Sequence, residues 1–122
     1  MRVLMIIPAY NEEESIFDTV TSILSYRKKV DFDLDYVVIN DGSTDKTKQI
    51  LEDNHFNAVN LVMNLGIGGA VQTGYKYALE HDYDVAVQFD GDGQHDIESL
   101  SDLLEPIRKN EADLVIGSRF VG

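Results

Sequence analysis

The stretch Phe89-Asp90-Gly91-Asp92-Gly93-Gln94-His95-Asp96 holds the residue types best suited to chemistry. Asp90 and Asp92 stand two residues apart, directly after an apolar run. Two like charges this close repel by about 1 kcal/mol in water and by far more once desolvated. A hard divalent cation relieves that repulsion and prefers oxygen ligands. Gln94 adds a neutral oxygen, so Asp90, Asp92 and Gln94 form a candidate cation site. So few protein ligands leave the rest of the shell to water and phosphate oxygens, an arrangement that suits Mg2+ or Mn2+. An EF-hand loop is excluded, because its sixth position is His95 rather than glycine and its twelfth is Ser101 rather than glutamate. The plain alternative is a solvated acidic turn. His95 can ligate, pack or face solvent.

Three further polar clusters share this placement after an apolar run: Pro8–Glu13, Asn40–Asp45 and Asn64–Gly69. In the first, Pro8 reads as the end of a strand and Asn11 as a cap for the next helix, with Glu12 and Glu13 suiting its dipole. The functional reading has backbone groups and Glu12 holding a base or ribose. In the second, Gly42 permits a tight turn, and Ser43 or Thr44 can cap a helix. Turn chemistry does not require Asp41, which can accept a hydrogen bond from a nucleobase N–H. In the third, glycines let backbone N–H groups approach a ligand at a helix N-terminus. The plain alternative there is close packing of small residues. A G-x-G-x-x-G fingerprint fails at Val71. A phosphate-binding P-loop fails because Tyr75 and Lys76 follow Gly74.

The elements that must position these clusters follow from periodicity. Val3–Ile7, Tyr36–Ile39, Ala58–Met63, Val85–Phe89 and Leu114–Ile116 read as buried strands. Ile16, Val20, Ile23 and Leu24 mark one face of a helix. Val71, Tyr75, Ala78 and Leu79 mark another, and Leu100, Leu103, Leu104 and Ile107 a third. A short helix carries Ile50 and Leu51. Continuous apolar strands alternating with helices predict an α/β fold, three-layer α/β/α, with a mainly parallel sheet. Right-handed crossovers then bring the polar clusters to one rim, where ligands bind in such sheets.

Bulk properties narrow the function. The chain has 122 residues, which fits one domain. Its net charge of −12 disfavours nucleic acid as a partner. Cysteine is absent, which removes disulfides, thiolate metal sites and cysteine nucleophiles. No apolar run reaches the roughly 20 residues that span a bilayer.

The motifs Ile7–Glu13, Asn40–Asp45, Asn64–Ala70, Asp90–His95 and Gly117-Ser118-Arg119-Phe120 together resemble glycosyltransferase family 2, of the GT-A fold. Within it they are most similar to the dolichyl-phosphate mannosyltransferases and bacterial polyprenyl-phosphate glycosyltransferases. They occur in the family's order and cover nearly the whole chain. The resemblance implies that Pro8, Ala9, Tyr10 and Glu12 line the nucleoside, with Asp41 on the base. Asn64, Gly69, Asp90, Gly91 and Asp92 complete the nucleotide-sugar site, and Asp92 and Gln94 lie nearest the metal. Arg119 reaches the diphosphate or an acceptor phosphate, and the catalytic assignments are Asp92 and Arg119. A guanidinium also suits bidentate oxyanion contact on physical grounds. A structural ion pair is the plain alternative for Arg119.

The chain departs from the family at Ile97, where a proline is usual. Residues 1–122 read as the nucleotide-sugar-binding portion of a GT-A domain truncated at the C-terminus. Acceptor contacts and any general base are expected beyond Gly122, so these residues alone are expected to be inactive.

The expected function is metal-dependent, inverting transfer from a UDP- or GDP-linked sugar to an acceptor such as a polyprenyl phosphate. The expected location is cytoplasmic, at the cytoplasmic face of the membrane if the acceptor is a lipid. Two alternatives differ in class. One is a non-catalytic nucleotide-binding or interaction domain. The other is a haloacid-dehalogenase-type phosphatase, which places its D-x-D after the first strand.

Overall fold

A computed structural model describes residues 2–30 and 32–89. The expected third helical stripe, the strand at 114–116, the Asp90–Asp96 stretch and Arg119 lie outside the described residues. Among the described residues, β1 (Arg2–Ala9) leads to α1 (Ile16–Tyr26) and a 3-10 turn at Arg27–Lys29. Then follow β2 (Asp33–Asn40), α2 (Thr47–Asp53), β3 (Ala58–Asn60), α3 (Gly66–Glu80) and β4 (Val85–Gln88). Among the described residues every strand pairing is parallel, and the order across the sheet is β3-β2-β1-β4.

The continuous apolar run of β1 is explained by burial on both faces. Val3, Leu4, Met5, Ile6 and Ile7 are all fully buried. Val3, Met5 and Ile7 pack with Ile16, Val20 and Ile23 of α1 and Leu51 of α2. Leu4 and Ile6 pack with Ala70 and Ala78 of α3 on the other face. The result is the expected three-layer arrangement.

Two helices differ from the sequence pattern in detail. Ser15, the residue before α1, makes no side-chain cap bond, so the buried apolar stripe carries this helix rather than its terminus. On α3 the inward face is Ala70, Val71, Gly74 and Ala78, while Leu79 is mostly exposed. Small residues let α3 approach the sheet closely. A Cβ on Gly74 would lie 2.3 Å from Ile6 Cγ2.

Pro8 does not end β1, because the strand continues to Ala9 in register with β2. The N–H groups of Asp84 and Phe89 donate to the carbonyls of Arg2 and Ile6. By the two-residue alternation, Pro8 therefore faces β4, just past the last described β1–β4 pair at Ile6 and Gln88. Its missing donor therefore breaks no bond to β2.

A latch of polar groups lies near the opposite edge of the sheet. The Arg2 guanidinium stacks 4.3 Å over the Tyr83 ring and donates to the His81 carbonyl at 2.7 Å. The Tyr83 hydroxyl donates to Asp35 Oδ2 at 2.9 Å. Burial, then the hydrogen bond to Asp35, push the Tyr83 phenol up to about 12.

Candidate functional site

The chain runs outward from β1 to β2 to β3, then returns to place β4 on the other side of β1. Strand order therefore reverses between β1 and β4. In open α/β sheets the ligand crevice opens at such a point, beyond the carboxyl ends of the strands. Ala9 and Tyr10 leave one side of this crevice. Phe89 leaves the other, its N–H bonded to the Ile6 carbonyl at 2.8 Å. Asp41 follows β2, next to β1, and its N–H donates to the Ala9 carbonyl at 2.8 Å.

The loops after β1 and β2 are bound to each other by side chains. Three consecutive N–H groups of the first loop donate into the second: Asn11 to Ser43 Oγ at 3.0 Å, Glu12 to Thr47 Oγ1 at 2.9 Å, Glu13 to Asp45 Oδ2 at 3.2 Å. In return, Asn11 Oδ1 accepts from the N–H groups of Thr44 at 2.8 Å and Asp45 at 3.3 Å. Asp45 Oδ1 also accepts from the Thr47 N–H and hydroxyl. Burial raises the Asp45 pKa, but the hydrogen bonds from Thr47 and Glu13 outweigh it and hold the carboxyl below its ordinary value.

This network corrects two cap assignments. Asn11 does not cap α1, which starts five residues later at Ile16. Asp45, rather than Ser43 or Thr44, satisfies the first residue of α2. Reading the sequence alone missed the part that Asn11 plays in joining the two loops. The one signal for it was this gap to the apolar stripe, too long for a cap.

The loop after β3 is tied to Asp41. Asp41 is 4% exposed, and its Oδ1 accepts from the Leu65 N–H at 2.7 Å. The described residues leave Oδ2 unclaimed. Asn64 Nδ2 donates to the Asp41 carbonyl at 3.2 Å, and its Oδ1 accepts from the Gly66 N–H at 3.1 Å. Asp41 thus does structural work at the start of α3 as well as facing the rim.

The structure therefore brings Pro8, Ala9, Tyr10, Glu12, Asp41, Asn64 and Gly69 to one end of the sheet. Ala9 is buried, Tyr10 is 45% exposed, and Glu12 is half-buried. Gly69 lies in the first turns of α3, where a Cβ would meet Leu65 Cβ at 2.7 Å. Close packing therefore explains this glycine. A depression of about 420 Å3 opens beside the rim between Asn40, Ser43, Lys48 and Leu61. It takes in none of the expected site residues.

Asp90, Gly91, Asp92, Gln94 and Arg119 lie outside the described residues. Among the described residues no group of three or more Asp, Glu or His could hold a metal ion. Among them, too, no helix is long and apolar enough to cross a membrane. The strand that precedes the Asp90–Asp92 pair is β4, not β1, unlike the phosphatase arrangement.

The model of the family described as glycosyl transferase family 2 matches residues 5–122. The chain belongs to that family. Undecaprenyl-phosphate mannosyltransferase of Micrococcus luteus is 42% identical over 126 residues, covering 99% of this chain and 49% of that protein. UDP-N-acetylglucosamine–dolichyl-phosphate N-acetylglucosaminyltransferase of Methanococcus voltae is 34% identical over 135 residues, covering 97% and 52%. The chain spans about half the length of the curated relatives it matches.

Glucosyl-3-phosphoglycerate synthase from Mycobacterium tuberculosis, solved with Mn2+, UDP-glucose and phosphoglyceric acid, superposes with a TM-score of 0.69 at 23% identity. That match covers 90% of this chain and 40% of the synthase. The likeness establishes the GT-A fold for this family 2 chain.

Proposed function

We propose that this protein serves transfer of a sugar from a nucleoside-diphosphate sugar to a polyprenyl phosphate, with inversion at the anomeric carbon. One observation carries the reading. The loops after β1, β2 and β3 meet at the end of the sheet where strand order reverses, and Phe89, just after β4, is bonded to Ile6 at that same end. The acceptor class rests on the relatives, whose names specify undecaprenyl and dolichyl phosphates.

In this reading Pro8, Ala9, Tyr10 and Glu12 line the nucleoside. Asp41 Oδ2 accepts from a base N–H while Oδ1 stays on Leu65. Asn64 and Gly69 border the pocket at the start of α3. Asp90, Gly91 and Asp92 face the diphosphate, and Asp90, Asp92 and Gln94 hold the cation. Three residues of chain reach at most about 11 Å, so the sequence separation from Phe89 allows Asp92 to act at the rim.

The donor set fits Mg2+ or Mn2+. Glu12, Asp41 and Asp45 already make this end of the sheet acidic, and a diphosphate would be repelled without a neutralising charge. A bound divalent cation would offset the charge that develops on the leaving nucleoside diphosphate. Arg119 positions the acceptor or the diphosphate through two parallel N–H donors. A lipid phosphate is largely ionised near neutral pH, so its oxygen can attack without a protein base.

The test is thermal unfolding with UDP or GDP, with and without Mn2+. The expected result is stabilisation by one nucleotide that grows when Mn2+ is added, as a ligand that binds only the folded state must produce. No stabilisation by either nucleotide, with or without the metal, would sink the proposal.

A further inference from the structure

We infer that Asn11 is a positioning residue of the nucleotide site. The inference rests on the functional reading above and adds to it a residue with no direct ligand contact. Tyr10 and Glu12, expected to hold the nucleoside, lie on the loop after β1. Asp41, expected to hold the base, lies on the loop after β2. Their spacing depends on what joins the two loops, and Asn11 joins them with both its backbone N–H and its side chain, as Asp45 does from the second loop.

Two properties make asparagine suitable. Its φ of +53° is left-handed, a region that asparagine and glycine tolerate better than other residues. This turn sets the directions in which Tyr10 and Glu12 leave it. Its Oδ1 takes two successive N–H groups, those of Thr44 and Asp45. Without it those donors lose their partner on the first loop. Aspartate would keep the acceptor but add a charge beside Asp45, in a site meant for a diphosphate. Glycine would keep the backbone and lose the acceptor.

The experiment compares native protein with Asn11→Gly, Asn11→Asp and Tyr83→Phe. Tyr83→Phe removes the hydrogen bond to Asp35 near the opposite edge and controls for a general loss of stability. Affinity for UDP and GDP is measured by calorimetry with Mn2+, and amide exchange is followed at Thr44 and Asp45. The expected result is that Asn11→Gly weakens nucleotide binding about tenfold, the scale of a small misplacement of binding groups. It should also speed exchange at Thr44 and Asp45. Asn11→Asp should recover most of the affinity, and Tyr83→Phe should retain it.

Unchanged exchange in Asn11→Gly overturns the clasp itself, whatever the ligand. Faster exchange with native affinity overturns the positioning role alone. An equal loss in Asn11→Gly and Tyr83→Phe does so too. If native protein binds neither nucleotide, the functional reading falls and takes this inference with it.

Discussion

Asp92→Ala is expected to remove the Mn2+-dependent gain in nucleotide affinity, a loss of at least about 100-fold given that mutating even the partners of metal ligands costs 10–100-fold. The sign of the metal-free result makes the prediction specific. With chelator present, Asp92→Ala should bind nucleotide no worse than native protein, because the variant presents one fewer negative charge to the diphosphate. A general folding defect would weaken both measurements. Asp92→Asn should fall between, since it keeps an oxygen ligand and loses the charge. Calorimetric titration with and without chelator reads all three. Mn2+ dependence that survives Asp92→Ala would remove this carboxylate from the site.

The second large effect concerns stability at the same rim, where two glycines should respond to alanine with opposite signs. Gly42 has φ +73°, and a Cβ there would lie 2.6 Å from the Asn64 nitrogen and 2.7 Å from the Met63 carbonyl carbon. These are backbone atoms of another loop, so no side-chain rotation relieves the clash. The left-handed conformation and the overpacking together cost Gly42→Ala about 3 kcal/mol. Gly68 lies inside α3, and a Cβ there meets nothing within 4 Å. Gly68→Ala should therefore stabilise by about 0.5–1 kcal/mol through the entropy of the unfolded chain. Denaturant midpoints measure both. Destabilisation by both substitutions, or by neither, would contradict the loop packing described above.

The layer order and the rim shared by the first three polar clusters were legible in the sequence, because both follow from the alternation of apolar runs and the handedness of crossovers. Element ends were less so, for local reasons. The apolar run Ala58–Met63 predicts a long third strand, but β3 stops at Asn60. Its partner β2 ends at Asn40, paired with Asn60, and Val62 beyond it is fully exposed. A run of residue types cannot show where the neighbouring strand ends. Pro8 misled in the converse way, since its missing N–H matters only on the β4 side.

The site divides similarly. That Asp41 stands beside the first loop was readable from its position after a strand. That one of its oxygens is committed to Leu65 was not, because that bond joins residues 24 apart in sequence. Asn11 was misread because an asparagine before a helix ordinarily caps it. Its real partners are more than 30 positions away, where no local grammar reaches.

The central claim is that cation and nucleotide meet at the carboxyl ends of β1 and β4. Mn2+ is paramagnetic and broadens the signals of nearby amides, so a titration of isotope-labelled protein with Mn2+ and the bound nucleotide tests the claim directly. The account predicts that Ala9, Tyr10, Asp41 and Phe89 broaden first, while Arg2 and Asp84 at the far edge stay sharp. Broadening centred on the Arg2–Asp84 edge, or spread evenly over the acidic surface, would contradict it.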